Sequence, residues 1–109
     1  MGYELHITRA PDWLDSASNP ISQQEWEAFS RRVPGLRPEG WVDWSDIGRQ
    51  PVFAWTCDDG TVVSLSWRHG EVQAAGAFSD AATRSLARLA ASLNANLVGD
   101  EHERYEPKP

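Results

Sequence analysis

The chain has 109 residues, which suffices for one domain with a single core and is too short for two. It carries 16 acidic against 10 basic residues, a net charge of −6, which argues against nonspecific binding to nucleic-acid phosphates. The same charge favours a basic protein partner, because opposite charges steer association.

The cysteine count and the lengths of the apolar runs indicate the cellular compartment in which the protein is expected. Cys57 is the only cysteine, so an intramolecular disulfide and a Cys-rich zinc site are both excluded. The first residues lack the basic start and apolar run of a signal peptide, and no apolar run is long enough to span a bilayer. We therefore expect a cytoplasmic protein without a membrane partner.

The first predicted elements are a strand and a helix. Apolar and polar residues alternate over residues 3–9, which predicts a half-buried strand with His6 on its polar side. Ser22 and Glu25 have the spacing of a capping box, in which each side chain bonds the backbone N–H of the other residue. They predict a helix that stops at the Pro-Gly pair at 34–35.

The segment after this helix has a mixed pattern. Residues 36–40 predict a turn-rich connector, and residues 41–47 predict either a short strand or a loop. In extended conformation each side of the second stretch holds an aromatic and an acidic residue. The pairs are Trp41 with Asp43 on one side and Trp44 with Asp46 on the other.

Residues 51–76 predict a meander of three antiparallel strands. A three-residue first loop, with Gly60 in the left-handed conformation, pairs Trp55 with Val63. A two-residue loop would instead set the aromatic residues opposite serines. Because a shift of one residue moves every side chain to the other face, the apolar pattern favours the three-residue loop.

The second loop of the meander is a two-residue turn. His69 and Gly70 suit it, because glycine adopts positive φ freely and histidine tolerates it better than most residues. This register sets Arg68 opposite Glu71, which predicts a favourable cross-strand charge pair.

The two registers sort the side chains of the meander onto two faces. The predicted core face holds Phe53, Trp55, Cys57, Val63, Leu65, Trp67, Val72 and Ala74. The opposite face, called the reverse face below, holds Val52, Ala54, Thr56, Val62, Ser64, Ser66, Gln73 and Ala75. The reverse face is small and uncharged, unlike the solvated side of an ordinary antiparallel sheet.

A second helix and a last strand follow. The helix begins at Ser79 or Asp80, and apolar residues then recur at the spacing of one buried helix face. Those residues are Ala82, Leu86, Leu89, Ala90 and Leu93. Residues 97–100 predict a short strand, and residues 101–109 form an acidic tail. The predicted fold is α+β, an antiparallel sheet packed against two helices in one domain over residues 1–109.

No stretch predicts catalysis or a cofactor. The sequence has no nucleophile elbow, P-loop or dinucleotide fingerprint, and its histidines lack metal-ligand spacing. We expect His6, His69 and His102 to be surface side chains. Cys57 falls on the predicted core face, where a thiol is buried and inert.

The acidic turns and the tryptophans beside them are the candidate binding residues. Aromatic anchors ringed by charge are typical of protein interfaces. The predicted partner-binding residues are Trp41, Asp43, Trp44, Asp46, Asp58 and Asp59. The four aspartates are also candidates for a metal or acid/base cluster, although acidic turns are ordinarily just solvated.

Three segments together resemble a known group of proteins. They are YELHITR at 3–9, PISQQEW at 20–26 and LVGDEHERYE at 97–106. The chain resembles a group of small bacterial cytosolic proteins that look like immunity proteins of polymorphic toxin systems. The resemblance implies a protein that binds and neutralises a toxin domain, commonly a basic nuclease, and implies no catalytic residue.

Two other functions remain open from the sequence. The uncharged reverse face would suit a homo-oligomeric or scaffold domain, unless a helix or the neighbours of the first strand cover it. A small enzyme or ligand-binding domain would use His6 or His102 with neighbouring carboxylates.

Overall fold

The computed structural model describes residues 4–10, 16, 18–57, 59–76, 79–99 and 104–105. Its elements form one antiparallel sheet with two helices, which confirms the predicted α+β fold. The elements are β1 (Leu5–Thr8), α1 (Gln23–Arg32), β2 (Leu36–Trp44), β3 (Gly48–Thr56), β4 (Val62–Arg68), β5 (Glu71–Ala75), α2 (Asp80–Ser92), β6 (Asn96–Gly99) and β7 (Arg104–Tyr105).

The sheet has seven strands in the order β2-β3-β4-β5-β1-β6-β7. Strands β2 to β5 follow one another as a meander, and β1 lies between β5 and β6. Because β1 is antiparallel to both neighbours, β5 and β6 run in the same direction, and α2 is the crossover between them. Of the strands that the structure describes, β2 and β7 are therefore the edges of the sheet.

The meander has the predicted register. Trp55 pairs with Val63 across β3 and β4, and Arg68 pairs with Glu71 across β4 and β5. Gly60 has φ +87° in the first loop, and His69 has φ +52° in the second. The two loops are thus built on left-handed residues at the predicted positions.

Both helices pack on the predicted core face of the sheet. In α1, Ser22 and Glu25 form the predicted capping box, and Trp26 is fully buried. In α2, Ser79 is the N-cap, and its hydroxyl accepts from the Ala82 amide. The predicted apolar residues of α2 are buried in the core, with those of β1, β4 and β5. The core therefore lies between one face of the sheet and the two helices.

The prediction for residues 36–40 was wrong, because they belong to β2. This strand runs over nine residues and pairs with β3 along its length. The register shifts by a bulge between Pro38 and Gly40. A proline is tolerated here because β2 is an edge strand, where a missing N–H breaks no bond to an outer neighbour.

The prediction for His6 was also wrong. Its side chain is 1% exposed and pairs with Glu71, which is 5% exposed, because β1 lies inside the sheet beside β5. The predicted charge pair between Arg68 and Glu71 does not form, although the two residues are opposite each other. Arg68 bonds Asp46 instead, since Glu71 is held by His6.

The reverse face is more polar than predicted, because β2 extends it. Arg37 donates to Thr56 Oγ1 at 3.3 Å, and Glu39 accepts from Ser64 Oγ at 2.9 Å. Around β1 the same face is buried, whereas Val62 at the far end of β4 is 46% exposed. Part of the reverse face is therefore buried, and another part carries the charged side chains of Arg37 and Glu39.

Arg9, which directly follows β1, forms hydrogen bonds with the first turn of α1 and with the residue at the end of α2. Its guanidinium donates to both carboxylate oxygens of Glu25, at 3.0 and 2.8 Å. The same group donates to the Leu93 carbonyl at the C-terminus of α2, at 3.0 and 3.1 Å. The Arg9 hydrogen bond and the Ser22 amide lower the pKa of Glu25 to about 2. Arg9 thus ties the start of α1 to the end of α2.

The end of the chain adds the last strand. The predicted strand at 97–100 is β6, which runs Asn96–Gly99. The described part of the acidic tail is β7, which pairs with β6 through Leu97 and Tyr105.

Candidate functional site

The predicted acidic residues do not gather into one cluster. Asp46 lies in the turn between β2 and β3 and contacts Arg68 at the end of β4. Asp59 precedes the start of β4, a strand of seven residues. The two aspartates are therefore separated by about the length of that strand, ~20 Å. Asp58 lies outside the described residues.

Asp59 joins the β3–β4 loop to the start of α2. Its carboxylate accepts from the Ser79 hydroxyl at 2.7 Å and from the Thr61 amide at 3.0 Å. These hydrogen bonds, the Ser79 bond first, lower the pKa of Asp59 to about 2. Because Ser79 is also the N-cap of α2, this arrangement positions the helix.

Asp46 and Trp44 belong to a network on the reverse face. Asp46 Oδ2 accepts from His69 Nε2 at 2.6 Å and from Arg68 Nη2 at 3.2 Å. The His69 bond is the main cause that lowers the pKa of Asp46 to about 2. The Arg68 guanidinium lies 4.2 Å from the centre of the Trp44 ring, a cation–π contact. The network fastens the β2–β3 turn to the β4–β5 turn.

Asp43 lies on the side of β2 that faces the helices. It pairs with Arg49 across the β2–β3 hairpin, with 3.1 Å between Arg49 Nε and Asp43 Oδ1. Both side chains are about two-thirds exposed, at 71% for Asp43 and 66% for Arg49. Such an exposed pair contributes little to stability, so Asp43 remains available to a partner.

Trp41 lies on the same side of β2 and is the most exposed large apolar side chain in the described part of the chain, at 65%. It borders an open groove of about 570 Å³ between α1 and the β2–β3 hairpin. The groove is lined by Gln23, Glu27, Ser30, Arg31, Pro38, Gly40, Trp41, Arg49, Pro51 and Phe53. We call it the Trp41 groove.

The Trp41 groove is apolar on its strand side and polar on its helix side. Phe53 and Pro51 continue the apolar surface from Trp41. On α1, Gln23 donates to Glu27 Oε2 at 3.4 Å and to Gln50 Oε1 at 2.7 Å, so this wall is held in place. An apolar centre with a polar rim is the usual anatomy of a protein interface.

The charges around the groove balance. Glu27 and Asp43 are matched there by Arg31 and Arg49. The described residues as a whole contain nine arginines and nine acidic residues. The net charge of −6 therefore comes from residues outside the described ones, which hold seven acidic residues and Lys108. The surface around Trp41 is thus anchored by apolar contact and is not strongly acidic itself.

Of the predicted binding residues, Trp41 lines this groove, and Asp43 lies beside it, paired with the lining residue Arg49. Trp44 and Asp46 lie on the reverse face, and Asp59 is at the other end of the sheet. The sequence did not predict the helix side of the groove, which includes Glu27 and Arg31. The sequence offered no signal for it, because only the packing of α1 beside the hairpin brings these residues to Trp41.

The described residues contain no group of three or more His, Cys, Asp or Glu side chains that could hold a metal ion. No helix in the same part of the chain is long and apolar enough to cross a membrane. Comparison of the chain with protein-family models, curated proteins and solved structures finds no match. The exposed Trp41 and the groove beside it are therefore the features that indicate a function.

Proposed function

We propose that this protein is a bacterial immunity protein that binds a toxin domain and neutralises it by direct occlusion. The observation that carries the proposal is Trp41, which is 65% exposed beside an open groove. Tryptophan is enriched among the residues that dominate binding energy at protein interfaces. Here it continues into the apolar lining that Pro51 and Phe53 give to the groove.

Occlusion requires a rigid surface and no catalytic group. The hairpin that carries Trp41 is fastened to the rest of the sheet by the contacts of Asp46 with Arg68 and His69. The groove wall on α1 is held by the Gln23 bonds. A surface that is ordered before binding loses little conformational entropy on association.

Charge and apolar contact have separate roles in this proposal. The net charge of −6 attracts a basic toxin over long range and raises the association rate. The groove itself is balanced in charge, so its affinity comes from burial of Trp41 and its apolar neighbours.

The two other functions have less support. A homo-oligomer that forms through contacts of the reverse face would have to bury Arg37 and Glu39, whose charged side chains lie on that face. An enzyme that used His6 would need substrate access to a side chain that is 1% exposed and paired with Glu71. His102 lies outside the described residues.

The proposal is tested by co-expression with the toxin domains encoded by genes adjacent to its own. The wild-type chain is expected to restore growth and to co-purify with one such domain in a salt-sensitive complex. Trp41→Ala is expected to lose protection, whereas Val62→Ala, a change at the other exposed apolar side chain, keeps it. If the wild-type chain protects against none of these domains, the function is rejected.

A further inference from the structure

Among the described strands, β2 is a long edge of the sheet with no strand on its outer side. It has nine residues, whereas β7 at the opposite edge has two. Among the described residues, no backbone–backbone hydrogen bond outside the β2–β3 ladder involves residues 37–47. In an antiparallel ladder, alternate residues direct their N–H and C=O groups away from the partner strand. The outer side of β2 therefore presents the kind of groups that pair with another strand.

The two halves of this edge differ. The first half contains Pro38, which has no N–H, and a bulge between Pro38 and Gly40. It also carries two charged side chains, Arg37 and Glu39. Prolines, bulges and charges are the features that prevent edge pairing in natural sheets. Residues 41–44 have no proline and no bulge, and they pair regularly with β3.

We propose that residues 41–44 bind an extended segment of a basic protein partner, which adds a strand to the sheet beside β2. The identity of that partner as a toxin rests on the proposed function. The four residues offer about four outward backbone groups, because alternate residues of an antiparallel strand point away from its neighbour. Backbone pairing of this kind supplies affinity, and alternate side chains supply specificity.

The groove favours particular side chains on the added strand. Side chains on its helix-facing side lie beside Trp41 and Asp43, two residues apart on β2. An apolar side chain reaches the Trp41 groove over Gly40, which leaves the edge open because a Cβ there would meet no atom within 4 Å. Two positions away, a lysine or arginine meets Asp43, whose pair with Arg49 is exposed and weak.

Charge favours a basic partner over a second copy of this chain. Two copies each carry a net charge of −6, and their repulsion opposes pairing of their β2 edges. A basic segment gains from the same charge. The expected segment therefore alternates an apolar and a basic side chain on one face of an extended strand.

The experiment uses random linear peptides displayed on phage and selected against the full chain. Enriched sequences are expected to contain an apolar and a basic residue separated by one position. Each enriched peptide is then synthesised in two forms that are N-methylated at alternate positions, offset by one residue. Strand pairing predicts that one form loses binding and the other keeps it, because only alternate N–H groups of the peptide face β2.

Hydrogen exchange locates the residues that contact the peptide, and the Trp41→Ala variant measures how much Trp41 contributes to the affinity. The bound peptide is expected to slow exchange of the outward amides within residues 41–44, and Trp41→Ala is expected to weaken binding at least about 30-fold. No enrichment, equal behaviour of the two N-methylated forms, or protection elsewhere overturns the inference. Concentration-dependent dimers that protect residues 41–44 would replace the partner by a second copy and overturn it as well.

The outcomes separate this inference from the proposed function. A toxin that is neutralised while exchange at residues 41–44 stays unchanged in the complex retains the function and overturns strand pairing. Peptides that bind with N-methyl sensitivity, together with no neutralised toxin, retain strand pairing and reject the function.

Discussion

Strands β1 and β2 belong to one sheet, and each mixes apolar with polar residues, yet their surroundings are opposite. All four residues of β1 are buried, including the pair that His6 makes with Glu71. In β2 only Leu36 is buried, and Trp41 projects into solvent. β1 lies between two strands and is buried on both of its faces, whereas β2 has one neighbour among the described strands and is largely exposed on both faces.

The sheet therefore has a buried centre at β1 and an exposed edge at β2, where we propose that the partner binds. A polar side chain in the centre must be paired, since an unpaired buried polar group costs free energy. A polar side chain at the edge is hydrated and is free to meet a partner. Substitutions in the two strands should therefore affect different measurements, stability for β1 and binding for β2.

The largest expected effect on stability is at the centre. Glu71→Ala leaves His6 buried without this carboxylate, and we expect it to lower the free energy of unfolding by about 3 kcal/mol or more in urea. Glu71→Gln keeps a hydrogen-bonding group of similar size and should lose less. The matched edge variant is Glu39→Ala, which should change stability by about 0.5 kcal/mol or less. Equal losses for Glu71→Ala and Glu39→Ala would contradict the division of the sheet.

The largest expected effect on binding is at the edge. Trp41→Ala should weaken binding of the proposed toxin partner by at least about 2 kcal/mol, because a tryptophan at the centre of an interface is commonly a hot spot. Its unfolding free energy should change little, since the side chain is 65% exposed. Calorimetric titration measures the first quantity, and urea unfolding the second. Val62→Ala should leave both unchanged, and a loss of binding in that variant would place the contact at the other end of the sheet.

Acid should weaken both regions through their carboxylates. Glu25, close to the end of β1, and Asp46, beside β2, each have a pKa lowered to about 2 in the folded chain, from ordinary values of 4.5 and 3.8. A lowered folded-state pKa stabilises the fold above the unfolded-state value, and this contribution is lost as the pH falls towards 2. Urea unfolding between pH 5 and 2 should therefore show a steady loss of stability.

Single substitutions test which carboxylates cause this loss of stability in acid. Glu25→Gln and Asp46→Asn should each flatten the pH dependence below about pH 4.5, because one titrating group is removed. We expect the Glu25 variant also to be destabilised at neutral pH, where it lacks its charged contact with Arg9. A pH profile identical to that of the wild type in both variants would show that other carboxylates are responsible.

The smallest expected effect is on association rate. Asp43→Lys should slow binding of a basic toxin at low salt, because the reversed charge lies at the edge where the partner arrives. Asp80→Lys changes the net charge by the same amount at the start of α2 and should slow binding less. The difference should disappear at high salt, where screening removes it. Stopped-flow rates that fall equally in the two variants would assign the effect to net charge alone.

Several features of the fold followed from local sequence. The capping box of Ser22 and Glu25 joins residues three positions apart, so it was predictable without knowledge of the fold. The loop at Gly60 and the turn at His69 set the meander register for the same reason. The buried stripe of α2 also depends only on the spacing of apolar residues along one helix.

Other features depended on residues far apart in the chain. His6 and Glu71 are separated by 65 positions, and only the placement of β1 beside β5 joins them. The first half of β2 was predicted as a connector because Pro38 and Gly40 disfavour a strand, and pairing with β3 overrode that preference.

The sequence by itself determined the class of the fold, both limits of α1, the start of α2 and the register of the meander, because these depend on interactions between near neighbours. It also identified Trp41 and Asp43 as candidate binding residues. Only the tertiary structure decided that β1 is central, that β2 is an edge and that α1 forms one wall of the Trp41 groove. Sheet order and helix packing depend on contacts between residues that are far apart in the sequence. No short stretch of the chain contains the information that decides them.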